Sequence, residues 1–165
     1  MQDVLRNLQN LGSELMLQAP KSGAWSIAQC IEHLITYGHH YHPLLTKNLK
    51  TRSMAKDSSS SLSLLGRLFT RMVDDRKKTL RCKTIPRHRP TLRNSPAKII
   101  SKHLNQQEEL LVLLRGFQGY DLSQRTLVSS ISRVIKLNPL DVVSFLVTHN
   151  QRHINQAMQV LQCIS

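Results

Sequence analysis

Two histidines four residues apart, His149 and His153, lie in the apolar stripe of a helix predicted from Asn138 to Leu161, and any fold of this chain must supply partners for both. Asn138-Pro139 announces that helix: an N-capping side chain, then a proline that fits the first helical position without forfeiting a needed donor. At about 100° per residue, Val142, Leu146, His149, His153, Ala157 and Val160 share one arc, with Asp141, Ser144, Thr148, Arg152, Asn155 and Gln159 opposite. Imidazoles in adjacent turns of a buried face need hydrogen bonds, a metal or a water-filled cleft. The spacing sets both rings over one patch, as paired metal ligands require, although Thr148-His149-Asn150-Gln151-Arg152-His153 lacks the glutamate of an H-E-x-x-H site. Two core histidines bonded to neighbours explain the pattern equally well until a third ligand is found.

The remainder reads as helices of ordinary bundle type. The 165 residues are enough for one domain, residues 1–165, with an aliphatic core. Asp3 to Leu17 forms an amphipathic helix on the stripe Val4, Leu8, Leu11 and Leu15, ended by Pro20 and Gly23. Trp25, read as a staple packed on the core, precedes a capping box, Ser26 with Gln29, that opens a second helix to about Leu49. Its stripe is Ile27, Ile31, Leu34, Ile35, Gly38, Tyr41, Leu45 and Leu49, which leaves His33 on the flank with Tyr37, His40 and Leu44. By periodicity His33, His39, His40 and His42 are open alternatives for a further ligand.

Asp57-Ser58-Ser59-Ser60-Ser61 is a polar run expected to be a flexible loop. A short helix from Leu64 to about Lys77 follows, then an aperiodic, proline-containing crossover from Arg81 to Pro96. Ser95-Pro96 opens another long helix through Ile99, Ile100, His103, Leu104, Leu110, Leu111 and Leu114, closed by Gly116 and Gly119. Ser123 to Leu137 has strand-like composition but no evident partner, and reads as an irregular crossover. The expected fold is all-α, a four-helix bundle whose long crossovers exclude the simplest up-down-up-down order.

A net charge of +13 favours contact with nucleic acid, an anionic surface or an anionic small molecule. Ten Lys or Arg fall between Arg67 and Arg93 against Asp74 and Asp75, which keeps a basic nucleic-acid-binding module open as a competing function. Phe69 is the segment's single aromatic, too few for base stacking. No stretch approaches the roughly eighteen apolar residues of a membrane span, so a cytoplasmic location without membrane contact is expected. Cys30, Cys82 and Cys163 contain no C-x-x-C and are expected to be reduced.

Three stretches together resemble the DinB-like superfamily of four-helix metal-binding proteins. They are Trp25-Ser26-Ile27-Ala28-Gln29-Cys30-Ile31-Glu32-His33-Leu34, the Lys83-Thr84-Ile85-Pro86 crossover, and His149-Asn150-Gln151-Arg152-His153-Ile154-Asn155-Gln156. The first is similar to a W-S-x-x-x-x-x-x-H-L signature and the last to H-x-x-x-H-x-x-Q, in the family's order. The resemblance implies that His33, His149 and His153 bind a divalent metal such as zinc or nickel, and that Gln156 orients a ligand or a bound water. It also implies a homodimer, and an activity that passes a low-molecular-weight thiol such as bacillithiol or mycothiol to an electrophilic small-molecule substrate. Cys30, three residues before His33, matches no ligand position and is read as a packing residue.

Three imidazoles leave a coordination position open, so the same centre would serve thiol transfer or metal-dependent hydrolysis. Hydrolysis usually wants a carboxylate base, and the helical candidates Glu32, Glu108, Glu109 and Asp141 share no stripe with the histidines. That scarcity favours transfer. Lysines and arginines around the mouth would then attract carboxylates of a thiol cofactor.

Overall fold

The computed structural model describes residues 2–51, 61–75, 84–124 and 126–164. They form an all-α fold of six helices: α1 (Gln2–Gln9), α2 (Ser13–Leu17), α3 (Ile27–Lys50), α4 (Leu64–Val73), α5 (Pro96–Gly116) and α6 (Pro139–Ile164), with a single 3-10 turn at Pro86–His88. The helix expected from Asp3 to Leu17 is therefore two short ones. The chain turns at Asn10–Gly12, where Asn10 N–H donates to Asn7 and Leu11 N–H to Leu8 in tightened i, i+3 bonds. The bend lets Leu5 and Leu8 on one segment and Met16 on the other all reach the core.

Two of the three predicted starts are built as their side chains dictate. Ser26 Oγ accepts Gln29 N–H at 3.3 Å while Gln29 Oε1 accepts Ser26 N–H at 2.9 Å, a closed capping box. At α6, Asn138 Oδ1 accepts Asp141 N–H at 2.7 Å and Asp141 Oδ2 accepts Asn138 N–H at 3.1 Å. Asp141 also takes Ser63 N–H at 2.8 Å and the Ser63 hydroxyl at 2.7 Å, which ties the start of α4 to the start of α6. This explains why Asp141 is fully buried although helical periodicity puts it opposite the apolar arc. A Cβ at Gly66 would collide with the Asp141 side chain, so that close approach requires glycine. Ser95 stands at the N-cap of α5 with Pro96 next, but its side chain caps nothing. The described part of α4 ends at Val73, where Asp74 takes the C-cap; Lys77 and the Asp57–Ser60 part of the polar run lie outside the described residues.

Helix α3 is sandwiched. Tyr37 meets His149 and Tyr41 meets Phe145, so α3 and α6 are antiparallel. Ile35 bonds Gln106 and His42 bonds Glu109, so α3 and α5 run parallel, an arrangement only a crossover connection permits. Helices α1 and α2 cover α5 and α3, and α4 lies along α6. Between α5 and α6, Leu127–Val128 pairs antiparallel with Lys136–Leu137. The strand partner that Ser123–Leu137 lacked in sequence is inside the same segment, in a hairpin too short for periodicity to show. It docks on α3 through Val128 carbonyl to His40 Nε2 (3.2 Å) and Ser130 to Tyr41.

The core falls into two apolar clusters stacked along the bundle. One gathers Ile27–Ile35 of α3, Ile99 and Ile100 of α5, and Ile154–Val160 of α6 with α1 and α2. The other gathers Tyr37–Leu45, Leu110, Leu113, Val142–Leu146, Phe69 of α4 and the hairpin. Between them lies a buried polar layer drawn from all three long helices: His33, His42, His103, Gln106, His149, Asn150 and His153. No helix among the described residues is long and apolar enough to cross a membrane.

Candidate metal centre

His33, His149 and His153 meet in that layer. Their ligand-capable nitrogens all lie within 4.8 Å of one another. His149 Nε2 is 3.0 Å from His153 Nε2 and 3.3 Å from His33 Nε2. Helix α6 places two of the rings through its i, i+4 spacing, and antiparallel α3 brings the third from across the sandwich. Periodicity put His33 on a flank because it sees one buried face; packing between α5 and α6 gives α3 two. The alternatives separate clearly: His39 is exposed, His40 bonds the hairpin, and His42 meets Glu109 at 3.0 Å.

The outer edges of two rings are fixed by acceptors. His33 Nδ1 lies 2.6 Å from the carbonyl of His88, which can only accept, so the proton is on Nδ1 and Nε2 presents a lone pair. His153 Nδ1 donates to Gln156 Oε1 at 2.9 Å, with the same consequence. Burial pushes all three pKa values down, His33 to about 4, His153 to about 3 and His149 well below the ordinary imidazole range, and the nearby Arg152 charge adds to the effect. The rings are neutral at pH 7, the form that ligates metals.

This donor set fits a cation better than it fits itself. His149 can donate one Nε2 proton to one of the two bare nitrogens, and the other is then left without a donor. Two imidazoles bound tetrahedrally at about 2.0–2.1 Å would sit roughly 3.3 Å apart, close to the two spacings of His149 from His153 and His33. His149 Nδ1 has no partner among the described residues.

His88 was not visible to sequence reasoning. It sits in the 3-10 turn of the crossover, buried, its ring stacked on Tyr37 at 3.7 Å. Thr36 donates its single hydroxyl proton to the His33 carbonyl at 2.7 Å, so His88 Nδ1 must donate to Thr36 Oγ1 at 2.8 Å. Residues 33, 36 and 88 thus close a ring of hydrogen bonds that holds the His88 carbonyl against His33. A carbonyl belongs to every residue type, so no motif marks it. Pro86 in an aperiodic stretch was the one available signal of a fixed turn.

Trp25 does more than staple. It lies 4.8 Å from the His33 ring and stacks on His153 at 5.9 Å, roofing the centre. Cys30 is fully buried in the apolar core, its thiol pushed up to about 12 by burial, and it takes no part in the cluster. Cys30 and Cys163 are free thiols, and Cys82 lies outside the described residues. Three of the four carboxylates considered as bases are engaged elsewhere. Glu32 accepts Thr91 N–H and Leu92 N–H at 2.6 Å each, which holds Leu92 at φ +51°. Asp141 caps α6, Glu109 meets His42, and Glu108 is exposed. Half of the basic run, Arg76, Lys77, Lys78, Arg81 and Lys83, lies outside the described residues.

A cleft of about 800 Å³ opens beside His153 of the cluster, lined among the described residues by Trp25, Asp75, Thr84, Arg152, Gln156 and Cys163 as well. An all-α protein in which two helices aim three buried, neutral imidazoles at one point beside an open cleft belongs to the class that can hold a divalent cation in a helical scaffold. The family model of the DinB superfamily matches residues 1–157, and the chain belongs to that superfamily. Neither a curated protein nor a solved structure matches the chain.

Proposed function

We propose that this protein is a metal-dependent transferase that moves a low-molecular-weight thiol onto an electrophilic small molecule at a centre held by His33, His149 and His153. The observation that carries the reading is the convergence of three Nε2 atoms, two of them with lone pairs committed inward by the His88 carbonyl and Gln156. A zinc or nickel ion held there would supply Lewis-acid activation of a sulfur or oxygen ligand.

The chain's own residues divide the remaining work. His88 and Gln156 keep the ligand rings in one tautomer, and Trp25 shields the cluster from bulk water. Glu32 and Asp141 are occupied with backbone N–H groups, which supports transfer over hydrolysis, since a sulfur nucleophile needs no carboxylate base.

Elemental analysis of untagged protein tests the centre: about one zinc or nickel per chain, absent from His33→Ala, is expected. Metal-loaded protein is then expected to couple a thiol to an electrophile. Hydrolysis of an ester or amide with no thiol coupling would favour the hydrolytic reading of the same centre.

A further inference from the structure

We infer that Arg152 is the specificity-determining residue of the cleft, pairing with a carboxylate of the ligand whose other end is held at the three histidines. The inference rests on the proposed thiol-binding centre and adds the class of ligand: a small acidic thiol rather than a neutral or cationic one.

Arg152 occupies the turn between the two α6 ligands, and its side chain lines the cleft together with His153 and Gln156. It is half-buried, yet among the described residues no carboxylate pairs with it. Among the described residues its one hydrogen bond runs from Nη1 to the Met72 carbonyl at 3.3 Å, which leaves most of the five-donor fork without a partner there. Asp75, which also lines the cleft, accepts Asn155 Nδ2–H at its Oδ2 (2.8 Å) instead. Arg152 and the cluster ring His153 border the same cleft, so one small molecule in it can meet both the guanidinium and the histidine centre.

A fork-shaped cation with spare donors in a partly desolvated wall is the geometry that binds carboxylate bidentately. Lysine would offer a point charge without that fit. The overall charge of +13 adds long-range attraction for an anion, and Arg152 supplies the local recognition.

Three probes separate the parts of the argument: N-acetylcysteine, N-acetylcysteamine, which lacks the carboxylate, and N-acetylalanine, which lacks the sulfur. Each is titrated calorimetrically into zinc-loaded wild type, Arg152→Gln and Arg152→Lys, with circular dichroism and zinc content checked for every protein. In wild type, loss of the carboxylate is expected to weaken binding about tenfold, and Arg152→Gln to abolish the difference. Arg152→Lys is expected to keep part of it, which also covers the case in which the glutamine variant fails to fold.

Equal binding of the two thiols by wild type, or a preference that survives in Arg152→Gln, would overturn the assignment. Failure of all three probes to bind zinc-loaded protein would overturn it as well, while leaving the metal centre intact. N-acetylalanine binding as tightly as N-acetylcysteine, still dependent on Arg152, would sustain the carboxylate site and overturn the thiol reading instead.

Discussion

The buried polar layer has two sides, and they differ in what they do with the same residue type. On the α3–α6 side, His33, His149 and His153 direct Nε2 atoms inward while the His88 carbonyl and Gln156 take two of the outer protons. On the α3–α5 side, His103 is 1% exposed with neither ring nitrogen bonded among the described residues, and His42 turns its Nδ1 outward to Glu109. A void of about 10 Å³ there touches His42, His103, Gln106 and Asn150, but among the described residues no three metal-ligating groups converge on this side. Histidine density therefore does not define a centre. Convergent lone pairs with acceptors behind them do, because those acceptors settle the tautomer before any ion arrives.

The sharpest way to break this contrast is to remove one imidazole from each side. His149→Ala and His153→Ala are each expected to take metal content from about one per chain to none, with helicity largely kept, whereas His42→Ala should leave the stoichiometry unchanged. Metal retained in both α6 variants would sink the centre. Gln156→Ala probes the acceptors rather than the ligands: metal affinity is expected to fall about 10- to 100-fold in a chelator competition, with one ion still bound at saturation.

The other side should respond in stability rather than in metal. His103→Leu removes two buried unpaired nitrogens at similar volume and is expected to raise unfolding stability by about 1–3 kcal/mol in urea titration. A loss of stability would mean that the ring has partners in solution. The same variant carries a pH signature. Burial lowers His103 to about 4, so between the ordinary 6.5 and about 4 the unfolded chain holds a proton that the native chain does not. Native stability is thus lost as pH falls through that window, and the metal-free His103→Leu protein should lose less of it than wild type. The smallest effect is expected from Thr36→Val, which opens the hydrogen-bonded ring around His88: a few-fold weaker metal binding, read by the same competition.

Much of this molecule was legible in one dimension because the relevant distances are short along the chain. Ser26 with Gln29 and Asn138 with Asp141 are three apart, and His149 with His153 four; local helical geometry alone makes those partners meet. The signatures around His33 and His149 likewise pointed to the superfamily that matches residues 1–157. What periodicity could not supply was the environment of α3, since burial on two faces blurs a single stripe and left His33 level with His39, His40 and His42.

Tertiary structure alone decided how closely His33 meets the α6 rings, that the His88 carbonyl backs it, that Asp141 is a clamp for α4, and that neither nitrogen of His103 is bonded among the described residues. Each depends on residues from 52 to more than 100 positions apart being brought together by packing between helices, and such contacts leave no period in the sequence. The sequence by itself determined the long helices, the caps at Ser26 and Asn138 and the two α6 rings, and its resemblance to the superfamily pointed to His33 as the third. The closed centre and the open cleft beside it exist because α3 lies antiparallel to α6 and parallel to α5, an arrangement set by how two apolar clusters pack around one polar layer.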